Sequence, residues 1–325
     1  MVIGNYRLLG RIGSGGMGAV YLGEHMMLGR TVAVKILHDN YAKKPEAAQR
    51  FLQEARTSSQ LRHPNIIDVT DCGQADDGRL YFVMELCEGR QLAEVLAKGP
   101  ISLFRALGIL SQVTRALEAA HQHGVVHRDL KPENILLERR DGRREIVKVV
   151  GEGPARQLVV EKEGKWDFVK VIDFGIAKFR ELAEDRDVIL GTPAYMSPEQ
   201  IRGDEVDGRA DIYAAGVLFF EMLTGRQPFT GDDPRTICEK HLFEPPPLPR
   251  LVRPDIAIPE AAECVILRAL SKNPARRQQS MDELYEELQT CFSGVFYKRD
   301  ADMIPGAQEK GITPGWRRPL KAAIG

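Results

Sequence analysis

Hydrophobic and polar positions alternate through residues 6–37. "YRLLGRIG" and "AVYLGEH" flank a glycine-rich turn, and "RTVAVKIL" is β-branched and alternating, so strands are expected throughout this stretch. The period lengthens in "PEAAQRFLQEARTSSQL", Pro45–Leu61. There Phe51, Ala55 and Ser58–Leu61 fall at helical spacing and Pro45 stands near the start. "HPNIIDVTDCGQADDGRLYFVMEL" reads as two strands around the turn Asp76–Asp77–Gly78. Beyond Gly89 the pattern is helical over Gln91–Ala97, Leu103–His123 and most of 208–224, 234–243, 259–270 and 280–291. A small strand-rich lobe, residues 1–88, followed by a larger helical lobe, residues 89–292, predicts an α+β architecture and not an alternating parallel sheet.

Two segments depart from this division. Residues 139–168 carry three short alternating runs, "REIVKVV", "QLVVEKE" and "WDFVKVI", the last reaching residue 172, with Gly151–Pro154 and Gly164 between them. They predict a β-hairpin or small meander inserted into the helical lobe. From Ser293 onward glycine, proline and charge accumulate without a period, so residues 293–325 are expected to form a poorly ordered tail.

Composition narrows the function classes. The 325-residue chain is 43% hydrophobic and 28% charged, ordinary for a soluble globular protein. Its formal net charge of −1 gives no global field that favours nucleic acid or an anionic membrane. The five cysteines (Cys72, Cys87, Cys238, Cys264 and Cys291) are scattered without a CxxC pair. That argues against a structural zinc or a disulfide framework and for a reducing cytosol. The N-terminus lacks the basic-then-apolar order of a signal peptide. The longest apolar stretch, Ile212–Phe220, is too short to span a bilayer. A soluble, cytoplasmic chain is expected, with no membrane anchor unless the natural protein continues past Gly325.

Several motifs carry chemistry. "GSGGMG", Gly13–Gly18, has the spacing G-x-G-x-x-G. A dinucleotide fold needs a strand before it and a helix after it, whereas strands are expected on both sides here. The remaining readings are an ordinary hairpin turn or a flap whose amides approach phosphates, with Val20 facing the ligand space. In "VAVK", Val32–Lys35, the lysine follows three apolar residues, and its ammonium needs an internal partner. Glu54, on the expected helix, is a candidate, and such a pair can aim the ammonium at phosphate oxygens. "HRDLKPEN", His127–Asn134, is far more specific than a glycine turn. Asp129 can accept a proton or hydrogen bond from an attacking hydroxyl, Lys131 can neutralise charge on a transferring phosphoryl group, and Asn134 can hold a metal ion. "DFG", Asp173–Gly175, follows the strand "VKVI", and Asp173 offers hard oxygens of the kind Mg²⁺ prefers.

In this order the motifs resemble the signature of the eukaryotic-type protein kinases. "GTPAYMSPE", Gly191–Glu199, is similar to the family's substrate-site loop, ending in Ser197–Pro198–Glu199. "DIYAAGVLFFEMLTGRQPF", Asp211–Phe229, resembles its central buried helix, and "NPARR" holds Arg277 where the family places the partner of Glu199. The resemblance covers residues 6–292. "GSGGMGAVYLG", "GTPAYMSPEQ" and "YFVMELCEG" are most similar to bacterial serine/threonine kinases of the membrane-sensor type.

The resemblance implies a bilobal protein-kinase fold, ATP and Mg²⁺ as cofactors, and protein substrates. It implies that Gly13, Gly15 and Gly18 line the phosphate flap and that Lys35 contacts phosphates while paired with Glu54. Adenine would lie between Ala33 and Leu136, bonded to backbone near Glu85 and Cys87, with Met84 controlling the back pocket. Asp129 would orient the substrate hydroxyl and Lys131 stabilise the transferring group, while Asn134 and Asp173 bind Mg²⁺. Serine/threonine specificity is implied by Lys131, two residues after Asp129, and by Thr192, whose hydroxyl would bridge Asp129 and Lys131.

"AKFRELAEDRDVILGTP", Ala177–Pro193, occupies the position of the activation segment. Arg128 resembles the arginine that pairs with a phosphorylated residue there, yet no serine, threonine or tyrosine lies between Asp173 and Thr192. Either Glu181, Glu184, Asp185 or Asp187 supplies a weaker fixed charge, or these residues form a solvated turn with Phe179 and Leu182 buried. The second is favoured, because charge runs are usually solvated faces. Both imply activity independent of phosphorylation within 176–191. Two further functions stand beside an active kinase: a catalytically inactive kinase-fold scaffold and a small-molecule phosphotransferase. The complete set of Lys35, Glu54, Asp129, Asn134 and Asp173 gives no reason to prefer the first. The Gly191–Glu199 loop with Arg277 argues against the second. The 139–168 insertion is read as a tolerated surface addition or a docking site, with the addition favoured. The sequence does not reveal whether the chain dimerises.

Overall fold

A computed structural model describes residues 1–14, 18–42, 44–141, 146–150, 157–161, 165–174 and 193–302. The strand-rich part is a six-stranded antiparallel sheet in the order β1-β2-β3-β4-β6-β5. Its strands are β1 (Val2–Ile3), β2 (Tyr6–Ser14), β3 (Gly18–His25), β4 (Thr31–Leu37), β5 (Val69–Gln74) and β6 (Leu80–Glu85). Helices α1 (Asp39–Ala42) and α2 (Pro45–Gln60) interrupt it between β4 and β5. Strand β4 is buried from Val32 to Leu37 because both its faces are covered. Val32, Val34 and Ile36 pack with Ile3, Tyr6, Tyr81 and Val83. On the other face Leu37 joins Phe51, Ala55, Val69 and Phe82. The four-residue spacing of Ala47, Phe51 and Ala55 gives α2 the apolar stripe it lays on the sheet. Lys35 alternates onto the α2 side, so the residue after Val34 becomes a buried cation.

The helical part holds the larger core. It contains β7 (Arg90–Gln91), α3 (Leu92–Leu96), α4 (Leu103–Gln122), β8 (Ile135–Asp141), β9 (Ile146–Val150), β10 (Gln157–Glu161) and β11 (Lys165–Val171). After these come α5 (Pro198–Arg202), α6 (Arg209–Thr224), α7 (Pro234–Phe243), α8 (Pro249–Val252), α9 (Glu260–Ala269) and α10 (Met281–Asp302). Helix α6 is apolar all round, as a helix at the centre of a core must be. A Cβ at Gly216 would come within 2.7 Å of Ala269 Cβ, so glycine is what lets α6 approach α9. Ser102 caps α4 by accepting the Arg105 N–H.

Two boundaries differ from the sequence reading. The 139–168 insertion is rooted in a longer hairpin: β8 pairs with β11 without a break from Ile135↔Val171 to Asp141↔Lys165. Between them β9 and β10 form a separate antiparallel pair from Ile146↔Glu161 to Val150↔Gln157. The linking residues 142–145, 151–156 and 162–164 lie outside the described part. Helix α10 continues to Asp302, past the tail boundary expected at 293, and residues 303–325 lie outside the described part. Among the described residues no helix is long and apolar enough to cross a membrane.

Candidate active site

The candidate site lies where β4, α2, the end of β11 and the loop between α4 and β8 meet. Lys35 on β4 donates to Glu54 Oε1 at 2.7 Å and to Asp173 Oδ1 at 2.8 Å. One cation therefore joins two carboxylates, one on α2 and one just after β11. Burial would lower the Lys35 ammonium, but Asp173 and Glu54 more than offset it and hold it above its ordinary range. Burial pushes the Glu54 carboxyl up to about 7, with the Lys35 ammonium opposing and the Asp173 charge adding. One lysine thus serves two carboxylates, of which Asp173 is 41% exposed.

The second cluster is the loop "HRDLKPEN". Lys131 Nζ lies 3.1 Å from Asp129 Oδ2. The Asn134 amide donates to the Asp129 carbonyl at 2.7 Å and to Asp129 Oδ2 at 3.2 Å, which leaves its oxygen for an acceptor role. The two clusters are tied through Ile172, the residue before Asp173. Ile172 N–H donates to the Asn134 carbonyl at 3.0 Å, and the Ile172 carbonyl lies 3.0 Å from His127 Nε2. His127 Nδ1 accepts the Asp129 N–H at 3.3 Å. A carbonyl can only accept and an amide N–H only donate, so the His127 tautomer carries its proton on Nε2. Phe174 is fully buried and its ring packs 4.8 Å from His127.

Two residues here hold backbone conformations that side chains disfavour: Arg128 at φ 64° and Asp173 at φ 55°. Asp211 holds the first. It sits in the first turn of α6, where the helix dipole favours an anion. Its oxygens accept the His127 and Arg128 N–H groups, each at 2.8 Å, while His121 Nε2 lies 2.8 Å away. Burial would raise the Asp211 carboxyl, yet His121 and these bonds hold it below the ordinary range. The Arg128 carbonyl accepts from Gln200 Nε2 at 2.8 Å. Arg128 Nε is buried without a hydrogen-bond partner among the described residues.

The other residues singled out in the sequence fall as follows. Gly13 pairs with Val20 across the β2–β3 turn, and Gly18 pairs with Leu37. A Cβ at Gly18 would come 2.5 Å from the Ile36 carbonyl, whereas one at Gly13 would meet only Val20 at 3.7 Å. Close backbone approach thus requires glycine at 18 alone of these two. Val20 stands opposite Lys35, and Ala33 opposite Met84. Glu85 ends β6, where its N–H donates to the Asp68 carbonyl at 3.0 Å. Half-buried Cys87 follows, its thiol pushed up to about 12 by burial and by Glu138. Leu136 stands on β8 opposite Lys170. Glu199 and Arg277 meet in a buried bidentate pair, with bonds of 2.6 and 2.8 Å. Gly15 and Thr192 lie outside the described residues, as do Phe179, Glu181, Leu182, Glu184, Asp185 and Asp187.

Sequence reasoning missed Asp211 and His127 as supports of the His127–Asn134 loop. A signal existed for Asp211, which is an acid at the head of the most apolar run in the chain, where a lone charge needs buried partners. It also missed His241, whose Nδ1 lies 2.8 Å from the hydroxyl of buried Tyr213.

The protein kinase domain model matches residues 6–288. The chain belongs to the protein kinase family. It is 42% identical over 291 residues to the serine/threonine-protein kinase pkn3 of Myxococcus xanthus, covering 87% of this chain and 49% of that protein. It is 37% identical over 294 residues to the serine/threonine-protein kinase PrkC of Bacillus subtilis strain 168, covering 90% of this chain and 41% of that protein. The chain thus spans less than half the length of these two kinases. The Mycobacterium tuberculosis PknI kinase domain aligns with a TM-score of 0.63 at 27% identity, covering 90% of this chain and 98% of that one. Membership of the family implies use of ATP and a divalent metal in general.

The residues fit a magnesium ion. Among the described residues no group of three or more His, Cys, Asp or Glu side chains could hold a metal by itself. Mg²⁺ needs none, since it keeps waters and takes phosphate oxygens beside one or two protein donors. The Asn134 amide oxygen and the Asp173 carboxylate are hard donors brought to the same end of β11 by the Ile172 bond.

Proposed function

We propose that the chain is a serine/threonine protein kinase that transfers the γ-phosphoryl group of ATP to protein hydroxyls. The supporting observation is the convergence of Lys35, Glu54 and Asp173 with Asp129, Lys131 and Asn134 through the two bonds to Ile172. In this reading Gly13, Gly15 and Gly18 form the flap over the phosphates. Ala33 and Leu136 enclose adenine, whose edge meets backbone near Glu85 and Cys87 with Met84 behind it. Lys35 aims its ammonium at phosphate oxygens. Asn134 and Asp173 would hold Mg²⁺, which when bound would neutralise charge on the phosphates.

Asp129 accepts the hydrogen bond of the incoming hydroxyl. The hydroxyl oxygen forms a bond to the γ-phosphorus as the bond to the β,γ-bridging oxygen breaks, ADP leaves, and the proton passes to Asp129. Lys131 keeps a cation beside the group in flight. Catalysis here is positioning and charge neutralisation, so the loop's hydrogen bonds to Asp211 and Ile172 are part of the machinery. Serine/threonine preference is supported by Lys131 beside Asp129, by Thr192 in the sequence and by the named kinases it resembles. Glu199 and Arg277 anchor the platform on which a protein substrate would lie. Cytosolic action on protein substrates is part of the proposal.

The test is transfer from γ-labelled ATP with Mg²⁺ to a generic protein, followed by phosphoamino-acid analysis. Label is expected on serine and threonine, and Asp129→Asn is expected to lose on the order of 10²- to 10⁴-fold in rate. Equal labelling by wild type and Asp129→Asn contradicts the assignment, and label on tyrosine alone contradicts the specificity.

A further inference from the structure

A buried lysine outside the motifs ties the catalytic strand to the end of β6. Along β11, Asp167, Val169 and Val171 alternate with Phe168 and Lys170. Val169 and Val171 enter the main core, and Asp167 takes Arg105 of α4 at 2.7 and 3.1 Å. Lys170 turns the other way. Its ammonium donates to Glu85 Oε1 at 2.5 Å and to the Ile66 carbonyl at 3.3 Å, and its side chain is 9% exposed. Glu85 Oε1 also accepts the Asp68 N–H at 2.9 Å. Residues 65–67 are bonded to β11 as well: Val171 N–H donates to the Asn65 carbonyl at 2.8 Å and Ile67 N–H to the Val171 carbonyl at 3.0 Å. Lys170 is thus a side-chain link between the strand that delivers Asp173 and the segment at Glu85 where adenine would bind.

A buried ammonium is a costly way to hold two elements together, and well-packed apolar side chains usually stabilise as much. What the ion pair adds is a defined distance. The outer side of Glu85 offers little packing to replace it. A cavity of about 490 Å³ opens there, lined by residues that include Arg30, Thr31, Leu86, Glu88 and Glu138. The backbone after β6 is held at its ends by the Val32↔Glu85 and Arg90↔Leu137 pairings, and the Lys170–Glu85 pair braces the Glu85 side chain from behind.

We propose that Lys170 is a positioning residue for the nucleotide, setting through Glu85 the place of the backbone that receives adenine relative to Asp173. The inference rests on the kinase reading above. It concerns ATP binding and not the transfer step, because Asp129, Lys131 and Asn134 are held by a separate set of bonds.

The experiment measures KM for ATP, kcat and thermal stability for wild type, Lys170→Met, Glu85→Gln and the double variant. Lys170→Met is expected to raise KM for ATP about tenfold, with kcat within about twofold of wild type. Glu85→Gln is expected to raise KM in the same direction, and the double variant to be no worse than Lys170→Met, as for two residues acting through one contact. If Lys170→Met does not fold, Glu85→Gln at the partly exposed acid carries the test through its KM. An unchanged KM with only a lower melting temperature overturns the proposal, as does a KM effect that adds fully in the double variant. If wild type itself transfers no phosphoryl group, the kinase reading falls first and this inference with it. If wild type turns over and KM ignores the pair, this inference alone falls.

Discussion

Lys35 and Arg277 are both buried cations bound to carboxylates, and they are arranged in opposite ways. Arg277 is fully buried and gives both terminal nitrogens to Glu199. Its remaining capacity goes to the carbonyls of Ser271, Arg209 and Lys272. Burial would raise Glu199, but the guanidinium outweighs it and holds the carboxyl below the ordinary range. Lys35 is shared between two acids from different elements, and burial, opposed by Lys35 and helped by the Asp173 charge, raises the Glu54 carboxyl to about 7. The Arg277–Glu199 pair is buried and hydrogen-bonded throughout. The Lys35 cluster joins one cation to two carboxylates from different elements, one of them, Asp173, open to solvent, and in the proposed function a nucleotide and its metal would meet it there. The contrast teaches that a buried cation alone does not separate scaffold from site; Arg277 spends its bonds on one carboxylate and on carbonyls, whereas Lys35 joins two carboxylates from different elements.

The largest expected effect that breaks this contrast is on the platform side. Arg277→Ala leaves the Glu199 carboxylate buried without its partner, and is expected to destabilise by about 3–5 kcal/mol in denaturant unfolding. Glu54→Gln removes an acid that its surroundings already disfavour in ionised form, so its expected effect falls on activity and not on stability. A loss of stability from Glu54→Gln as large as that from Arg277→Ala would erase the distinction.

The second test uses pH. Glu54 must be ionised to hold Lys35, so kcat/KM for ATP is expected to fall as pH drops below about 7. Stability runs the other way. A carboxyl whose folded value is raised contributes stability that is full below its unfolded value of 4.5 and is lost as pH rises through about 7. Glu199 is the reverse case. Its depressed value contributes stability that is present above 4.5 and is lost as pH falls through the folded value. The acid limb of the activity profile should vanish in Glu54→Gln; its persistence there would assign the limb to another group.

Much of this contrast was legible in the chain. Periods of two and near four residues placed strands β2 to β6 and the helices α2, α3, α4, α6, α7, α9 and the start of α10, because each buries one face or all of itself. Lys35 with Glu54 and the cluster in "HRDLKPEN" were readable from residue type and spacing. The supports were not, because they close over long separations. Asp211 bonds the loop from 84 residues away and Lys170 bonds Glu85 from 85 away. Lys170 stands in an alternating run, "VKVI", where a lysine reads as the wet face of a strand; its burial comes from tertiary packing that no local pattern records. Alternation alone does not mark the hairpin's root at Ile135, because β8 opens with the apolar run "ILL".

The smallest expected effect is at that hairpin. Asp141 and Lys165 already pair, so replacing residues 142–164 with an Asn-Gly turn closes β8 onto β11 in register. ATP turnover is expected to stay within about twofold, as for a tolerated insertion. A large loss would make the β9–β10 pair part of the catalytic body.

The most direct test of the central claim is calorimetric titration of ATP into the protein with and without Mg²⁺, repeated on Asp173→Asn. If Lys35, Asn134 and Asp173 converge on the phosphates of one nucleotide, binding depends on Mg²⁺ and Asp173→Asn weakens it by about tenfold or more in its presence. No binding by wild type, or an affinity indifferent to both the metal and the substitution, would contradict that convergence.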